Sequence, residues 1–83
     1  MEHNHRLLAH ETNGDIHFQI HEVHYDGNGE PQAYIPDPVC VVGSNVFGVN
    51  LTLNKMQACM KKPILHAGDR FPNTYDTGSF SLE

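Results

Sequence analysis

The feature that most constrains the fold is the pair Asn13-Gly14, which lies between two extended segments. Both central residues of a type I′ turn need positive φ, which asparagine and glycine tolerate, so the pair predicts a two-residue β-hairpin. The first strand is predicted from about His5 to Thr12 and the second from Asp15 to Tyr25. A two-residue turn also fixes which residues of the two strands face each other.

The second strand alternates polar and apolar residues and then changes phase. Its apolar residues first fall at even positions, but Val23 and Tyr25 fall at odd ones. A β-bulge near His21-Glu22 would return them to the apolar face, so we predict a bulge there. On this prediction Phe18 is a core residue, and Phe18→Ala costs about 3–5 kcal/mol. The predicted core of the strand is Ile16, Phe18, Ile20 and Val23.

A third strand and a helix follow. The turn at residues 26–30 leads into a strand that starts near Pro31 and is interrupted by Pro36 and Pro38. Asn45 is a predicted helix N-cap, and apolar residues then recur at steps of three and four until Pro63 ends the pattern. This stripe is predicted to pack on the sheet; its members are Val46, Val49, Leu53, Met56 and Met60.

The predicted fold class is α+β: a three-stranded antiparallel meander, or a four-stranded one, packed against one amphipathic helix. Residues 1–65 form the predicted domain, and residues 66–83 a mobile polar tail whose last pair, Leu82-Glu83, we interpret as a cloning remnant. Cys40 and Cys59 are predicted to be buried, reduced thiols. With no leader pattern and no long apolar run, we expect a cytoplasmic protein without a membrane segment.

Charge and motif patterns narrow the function. The chain carries five basic and ten acidic residues, so a monomer lacks the basic face that neutralises nucleic-acid phosphates, and nucleic-acid binding is not expected. No GxSxG pattern is present, and neither cysteine lies in a reactive motif. We therefore predict no catalytic residues, no cofactor and no enzymatic activity.

Three segments resemble a family of short bacterial proteins of unknown function. They are His21 to Asp26, Gly29 to Pro31, and Tyr34 with Asp37 to Val39, which resemble the family's HEVYYD-type strand and YTxDPV segment. The family's amphipathic helix ends in a KPVL-type sequence, here Lys62 to Leu65. That helix is strongly acidic in the family, whereas this one has no acidic residue. The order of elements also resembles that of the antitoxin subunits of HicB type. This resemblance implies that the chain binds and regulates another protein.

Histidine is the compositional outlier, with seven residues in 83. In the predicted hairpin register His10 faces His17 on one side of the sheet, with Cα atoms about 5.5 Å apart. The pair is a candidate metal site, although zinc sites usually take three or four protein ligands. His21 lies about 13 Å along the strand from His17, which predicts that it is not a third ligand. Two solvent-facing histidines are the alternative.

One helix covers only one face of a three-stranded sheet, so we expect an uncovered surface. This surface would include two helical residues that lie off the main stripe. Because uncovered apolar surfaces and sheet edges are usually paired, we expect a protein partner or a homo-oligomer. The predicted members of this surface are Leu8, Gln19, His21, Phe47 and Leu51. We predict a non-catalytic protein-interaction or regulatory, antitoxin-like module. The alternative is a metal- or pH-responsive protein that uses His10 and His17.

Overall fold

The computed structural model describes residues 2–75, which form four strands and one α-helix. In chain order these are β1 (His3–Thr12), β2 (Asp15–Tyr25), β3 (Pro31–Tyr34), α1 (Val46–Cys59) and β4 (Leu65–His66). The sheet order is β3-β2-β1-β4, with β4 parallel to β1 and the other pairs antiparallel. The predicted α+β class is confirmed. The sheet differs from the predicted antiparallel meander in its fourth strand, which is short and parallel to β1. Leu82-Glu83 and the rest of residues 76–83 lie outside the described residues.

The hairpin has the turn and register predicted from its two turn residues. Asn13 and Gly14 have φ values of 52° and 86°, the positive pair that a type I′ turn needs. The pairs His10–His17 and Leu8–Gln19 face each other as predicted. A local turn signal therefore determined the pairing of the two longest strands.

The bulge predicted near His21-Glu22 is absent. The β1–β2 register is continuous from Thr12–Asp15 to His3–His24, and the only irregularity in β2 lies between His24 and Tyr25, against β3. Without a bulge, residues at odd positions of β2 stay on one face. Val23 and Tyr25 therefore share their face with His21, and not with Phe18.

The core consequently forms on the face opposite to the predicted one. Leu8, Val23, Tyr25 and Leu65 are buried together, and Tyr34, Ala67 and Phe71 pack against them. Val23 is the one residue of the predicted β2 core that is fully buried. Ile16 and Phe18 are largely exposed, and Ile20 is half-buried. The predicted core face is thus wrong, because it depended on the bulge.

A buried arginine connects the sheet to the turn after the helix. The Arg6 guanidinium donates from Nη1 to the Tyr25 hydroxyl at 2.8 Å and from Nη2 to the Pro63 carbonyl at 2.7 Å. The Tyr25 hydroxyl in turn donates to Asn4 Oδ1 at 2.7 Å. Hydrogen bonds to a charged group are stronger than neutral ones, and here they hold the end of α1 against β1.

The helix begins as predicted but packs loosely. The Asn45 side chain accepts from the Gly48 amide at 2.8 Å, which confirms the N-cap, and the helix ends at Cys59, before Lys61. Cys59 is its only buried residue. Val46 and Leu53 are exposed, so the predicted packing of the stripe on the sheet is wrong for them; Val49, Met56 and Met60 are half-buried. The physical reason is that β4 and the segment after it cover the core instead.

Part of the predicted mobile tail belongs to the fold. His66 lies in β4, the Tyr75 amide donates to the Ile64 carbonyl at 2.7 Å, and Phe71 packs on the core. The domain boundary predicted at residue 65 is therefore corrected for residues 66–75. Their contacts to β1 and the core close the sheet edge that the helix leaves open.

The two cysteines lie in different environments. Cys59 is buried, as predicted, and burial raises the pKa of its thiol, against the opposing effect of Arg6. Cys40 is exposed, contrary to the prediction, because the segment around it joins no strand. Within residues 2–75, no helix has the length and apolar character needed to cross a membrane.

Candidate functional site

Three histidines form a cluster on the core face of the hairpin. The rings of His10 and His17 stack, with centroids 5.0 Å apart and planes at 10°. The ring of His10 also lies 5.0 Å from that of His21, and the two Nε2 atoms are 2.9 Å apart. The structure therefore brings together the predicted pair and adds His21 to it.

The orientation of His21 is set by a backbone carbonyl. Its Nδ1 lies 2.8 Å from the Ile35 carbonyl oxygen, which only accepts, so Nδ1 carries the proton and donates it. In the neutral ring, Nε2 of His21 then holds a lone pair, and Nε2–H of His10 donates to it. His21 is fully buried, and the Tyr34 ring lies edge-on at 5.3 Å.

The exposed end of the cluster differs from the buried end. Burial lowers the pKa of His10, and the neighbouring charges of His21 and His17 lower it further. His17 itself is exposed. Lone pairs lie in the ring planes, and the planes of His10 and His17 are nearly parallel, so their lone pairs do not converge on one point. Within residues 2–75, no group of three or more histidine, cysteine or carboxylate side chains is arranged to hold a metal ion.

The sequence prediction for His21 considered the wrong distance. His21 is far along β2 from His17, but His10 lies on the neighbouring strand, and its ring reaches between the two. All three residues share one face in the predicted register, which is the signal that could have found the cluster. The contribution of the Ile35 carbonyl had no such signal, because it depends on the path of the chain after β3.

The predicted interaction residues divide into two groups. Leu8 and His21 are fully buried and Gln19 is half-buried, so Leu8 and His21 are not available to a partner. This part of the predicted surface is corrected, since the face it was assigned to forms the core. Phe47 and Leu51 are exposed, as expected for residues off the main stripe.

An apolar surface lies at the start of the helix, and we call it the helix-entry patch: Val42, Val46, Phe47 and Leu51. Their side chains are 70%, 85%, 72% and 48% exposed, respectively. Gly43 lies against the backbone of Gly48 and Val49, which holds residue 42 beside the first helical turn. Exposed apolar residues are common singly, whereas neighbouring ones mark interaction surfaces.

The charged residues of the helix and of the turn after it have one sign. The helix and the turn after it carry Lys55, Lys61 and Lys62 and no acidic residue, while all ten acidic residues lie elsewhere in the chain. Lys55 follows Leu51 by one helical turn, so a cation borders the patch. The patch would therefore favour a partner surface that is apolar and edged by carboxylates.

Comparisons with protein family models, with curated proteins and with solved structures give no significant match to this chain.

Proposed function

We propose that this protein is a non-catalytic protein-interaction module that binds its partner through the helix-entry patch. The observation that carries the proposal is the exposure of Val46 and Phe47, two large apolar side chains on an ordered helix. Burying such a side chain is worth about 1.5–3 kcal/mol, and a partner that covers the two residues would gain this free energy.

The loose packing of α1 supports the same proposal. The helix is held at its end by Cys59 and by the hydrogen bond from Arg6 to Pro63, while the sheet core is covered by Leu65 and Phe71. The first half of α1 therefore contributes little to the core. An amphipathic helix presented in this way is a common element of helix-mediated recognition.

The partner should carry apolar residues edged by carboxylates. A second copy of the chain satisfies the charge requirement, because eight of the ten acidic residues lie among residues 2–75 and outside the helix. Another acidic protein satisfies it too, as in a regulatory complex of antitoxin type. Regulation is the role that the architectural likeness suggests.

Native mass spectrometry of the protein recovered from its host tests the proposal, with matched variants. We expect an oligomer or hetero-complex in the wild type that is lost in Phe47→Ser/Leu51→Ser. Ile16→Ser is the control, since Ile16 is also a partly exposed apolar residue but lies near the hairpin tip. A wild-type protein that is monomeric and carries no partner at every concentration would contradict the proposal. So would an Ile16→Ser variant that loses the complex as fully as Phe47→Ser/Leu51→Ser does.

A further inference from the structure

The main-chain groups along β2 point alternately to its two edges. Antiparallel strands bond through alternate residues, so neighbouring residues direct their N–H and C=O groups in opposite directions. Odd-numbered residues of β2 point toward β1, as the hydrogen bond of 2.9 Å from the Tyr25 amide to the Glu2 carbonyl shows. The main-chain groups of Ile16 and Phe18 therefore point away from β1.

The chain after β2 covers only part of this outer edge. β3 pairs with residues 23–25 of β2, and beyond β3 the Val39 amide donates to the Ile20 carbonyl at 2.8 Å. Within residues 2–75, the outward N–H and C=O groups of Ile16 and Phe18 have no main-chain partner. Proline, lysine and bulges are the usual protections of an edge, and residues 16–20 contain none of them. This stretch of β2 is therefore a template for a further strand.

Two carboxylates border the open residues, one at each end. Asp15 precedes them in β2, and Asp37, which is exposed, lies just before the Val39 contact. The strand between the two carboxylates spans about 17–20 Å, the length of five or six residues at about 3.3 Å each. Glu11, across the hairpin on β1, is already paired with Arg70 at 3.2 Å. An added strand of this length would gain from a cation at each of its ends.

We propose that an extended segment of another protein adds to this edge as a strand, with apolar and polar residues in alternation and a basic residue at each end. Its main chain pairs with Ile16 and Phe18, and its apolar residues lie beside the exposed side chains of these two residues. The basic ends lie near Asp15 and Asp37. A second copy does not supply such a segment, because the only lysine or arginine in β1 to β4 is Arg6, which is buried. This surface is independent of the helix-entry patch.

Binding of the synthetic peptide KVTVTVK, followed by amide NMR spectra, tests the proposal. We expect saturable shifts at the Ile16 and Phe18 amides. The matched peptide EVTVTVE should bind at least about tenfold more weakly at low salt, because its ends repel Asp15 and Asp37. Ile16→Pro should bind KVTVTVK at least about fivefold more weakly than Ile16→Ala, since both lose the side chain but only proline lacks the outward N–H. The β1 ladder does not use that N–H, so proline is tolerated there.

A charge variant keeps the proposal testable should Ile16→Pro fail to fold. Asp15→Asn/Asp37→Asn changes two exposed side chains and should bind the two peptides with similar affinity. Equal affinity of the wild type for both peptides overturns the proposal, as does equal affinity of Ile16→Pro and Ile16→Ala for KVTVTVK. So does a wild type that shows no shifts at millimolar peptide. Shifts at Val46 and Phe47 instead would assign the peptide to the helix-entry patch, and concentration-dependent shifts at the β2 edge without peptide would assign the edge to a second copy.

Discussion

Alanine substitutions at Leu8 and Phe18 distinguish the two faces of the sheet. Leu8 is 0% exposed on the face that carries the core, whereas Phe18 is 45% exposed on the opposite face. Sequence periodicity alone predicts that Phe18 is the core residue. The structure predicts the reverse order of cost, although phenylalanine is the larger side chain.

The magnitudes follow from burial. Leu8→Ala removes three carbons, worth about 2.4 kcal/mol at about 0.8 kcal/mol each, and the cavity left behind brings the cost to about 3–4 kcal/mol. Phe18→Ala would cost about 3–5 kcal/mol if the ring were fully buried. Because nearly half of the ring is exposed and solvent fills the space, we expect about 1.5–2.5 kcal/mol. That loss includes the edge contact between Phe18 and Tyr75.

Urea unfolding followed by circular dichroism measures both costs. A chain of this length has a free energy of unfolding of about 4–12 kcal/mol, so Leu8→Ala should lower the midpoint by more than about 1 M or leave no folded baseline. Phe18→Ala should keep a cooperative transition with an unchanged slope. A larger loss in Phe18→Ala than in Leu8→Ala would refute the core assignment and restore the predicted bulge.

Two further predictions concern the helix start and pH. A Cβ on Gly43 would lie 2.7 Å from the Val49 amide nitrogen, so Gly43→Ala should destabilise the protein by about 1–3 kcal/mol. A Cβ on Gly48 would meet nothing closer than 3.6 Å, so Gly48→Ala should stabilise the protein by about 0.5–1 kcal/mol. Urea unfolding measures both changes. Burial lowers the pKa of His5, and the charge of Lys55 lowers it further, against the opposing effect of Glu22. The folded protein therefore favours the neutral form of His5. The stability that His5 contributes is present above its unfolded pKa of 6.5 and is lost as the pH falls through its folded pKa. Unfolding measured from about pH 7.5 to about pH 5.5 should show this loss, and His5→Gln should reduce it; an unchanged slope would contradict the assignment.

The parts of the fold that were predictable from sequence are those determined by local chemistry. Asn13-Gly14 fixed the hairpin and its register because a two-residue turn leaves no freedom in the pairing. The Asn45 cap was predictable for the same reason, since a cap needs only its own side chain and the amide of Gly48. The same hairpin register placed His10 opposite His17.

The core face was predicted wrongly because the local sequence of β2 fits two arrangements equally well. Alternation with a phase change is explained equally by a bulge or by a strand whose two faces are both partly apolar. Here Ile16 and Phe18 lie on one face and Val23 and Tyr25 on the other, without a bulge. Only the cover from Leu65 and Phe71, distant in sequence, decides which face is buried. His21 was misjudged in consequence, because its burial follows from that choice.

The same choice links the core to the proposed binding surface. In a small α+β domain the single helix normally covers the sheet, and its apolar stripe is buried in that contact. Here residues 65–75 supply that cover, through Leu65 and Phe71 on the core and the Tyr75 amide on Ile64. The helix keeps only its last buried residue, Cys59, and its contact to Arg6 by way of Pro63. An apolar helix start with a fixed N-cap and no role in the core has no structural explanation within residues 2–75, and a partner surface provides one.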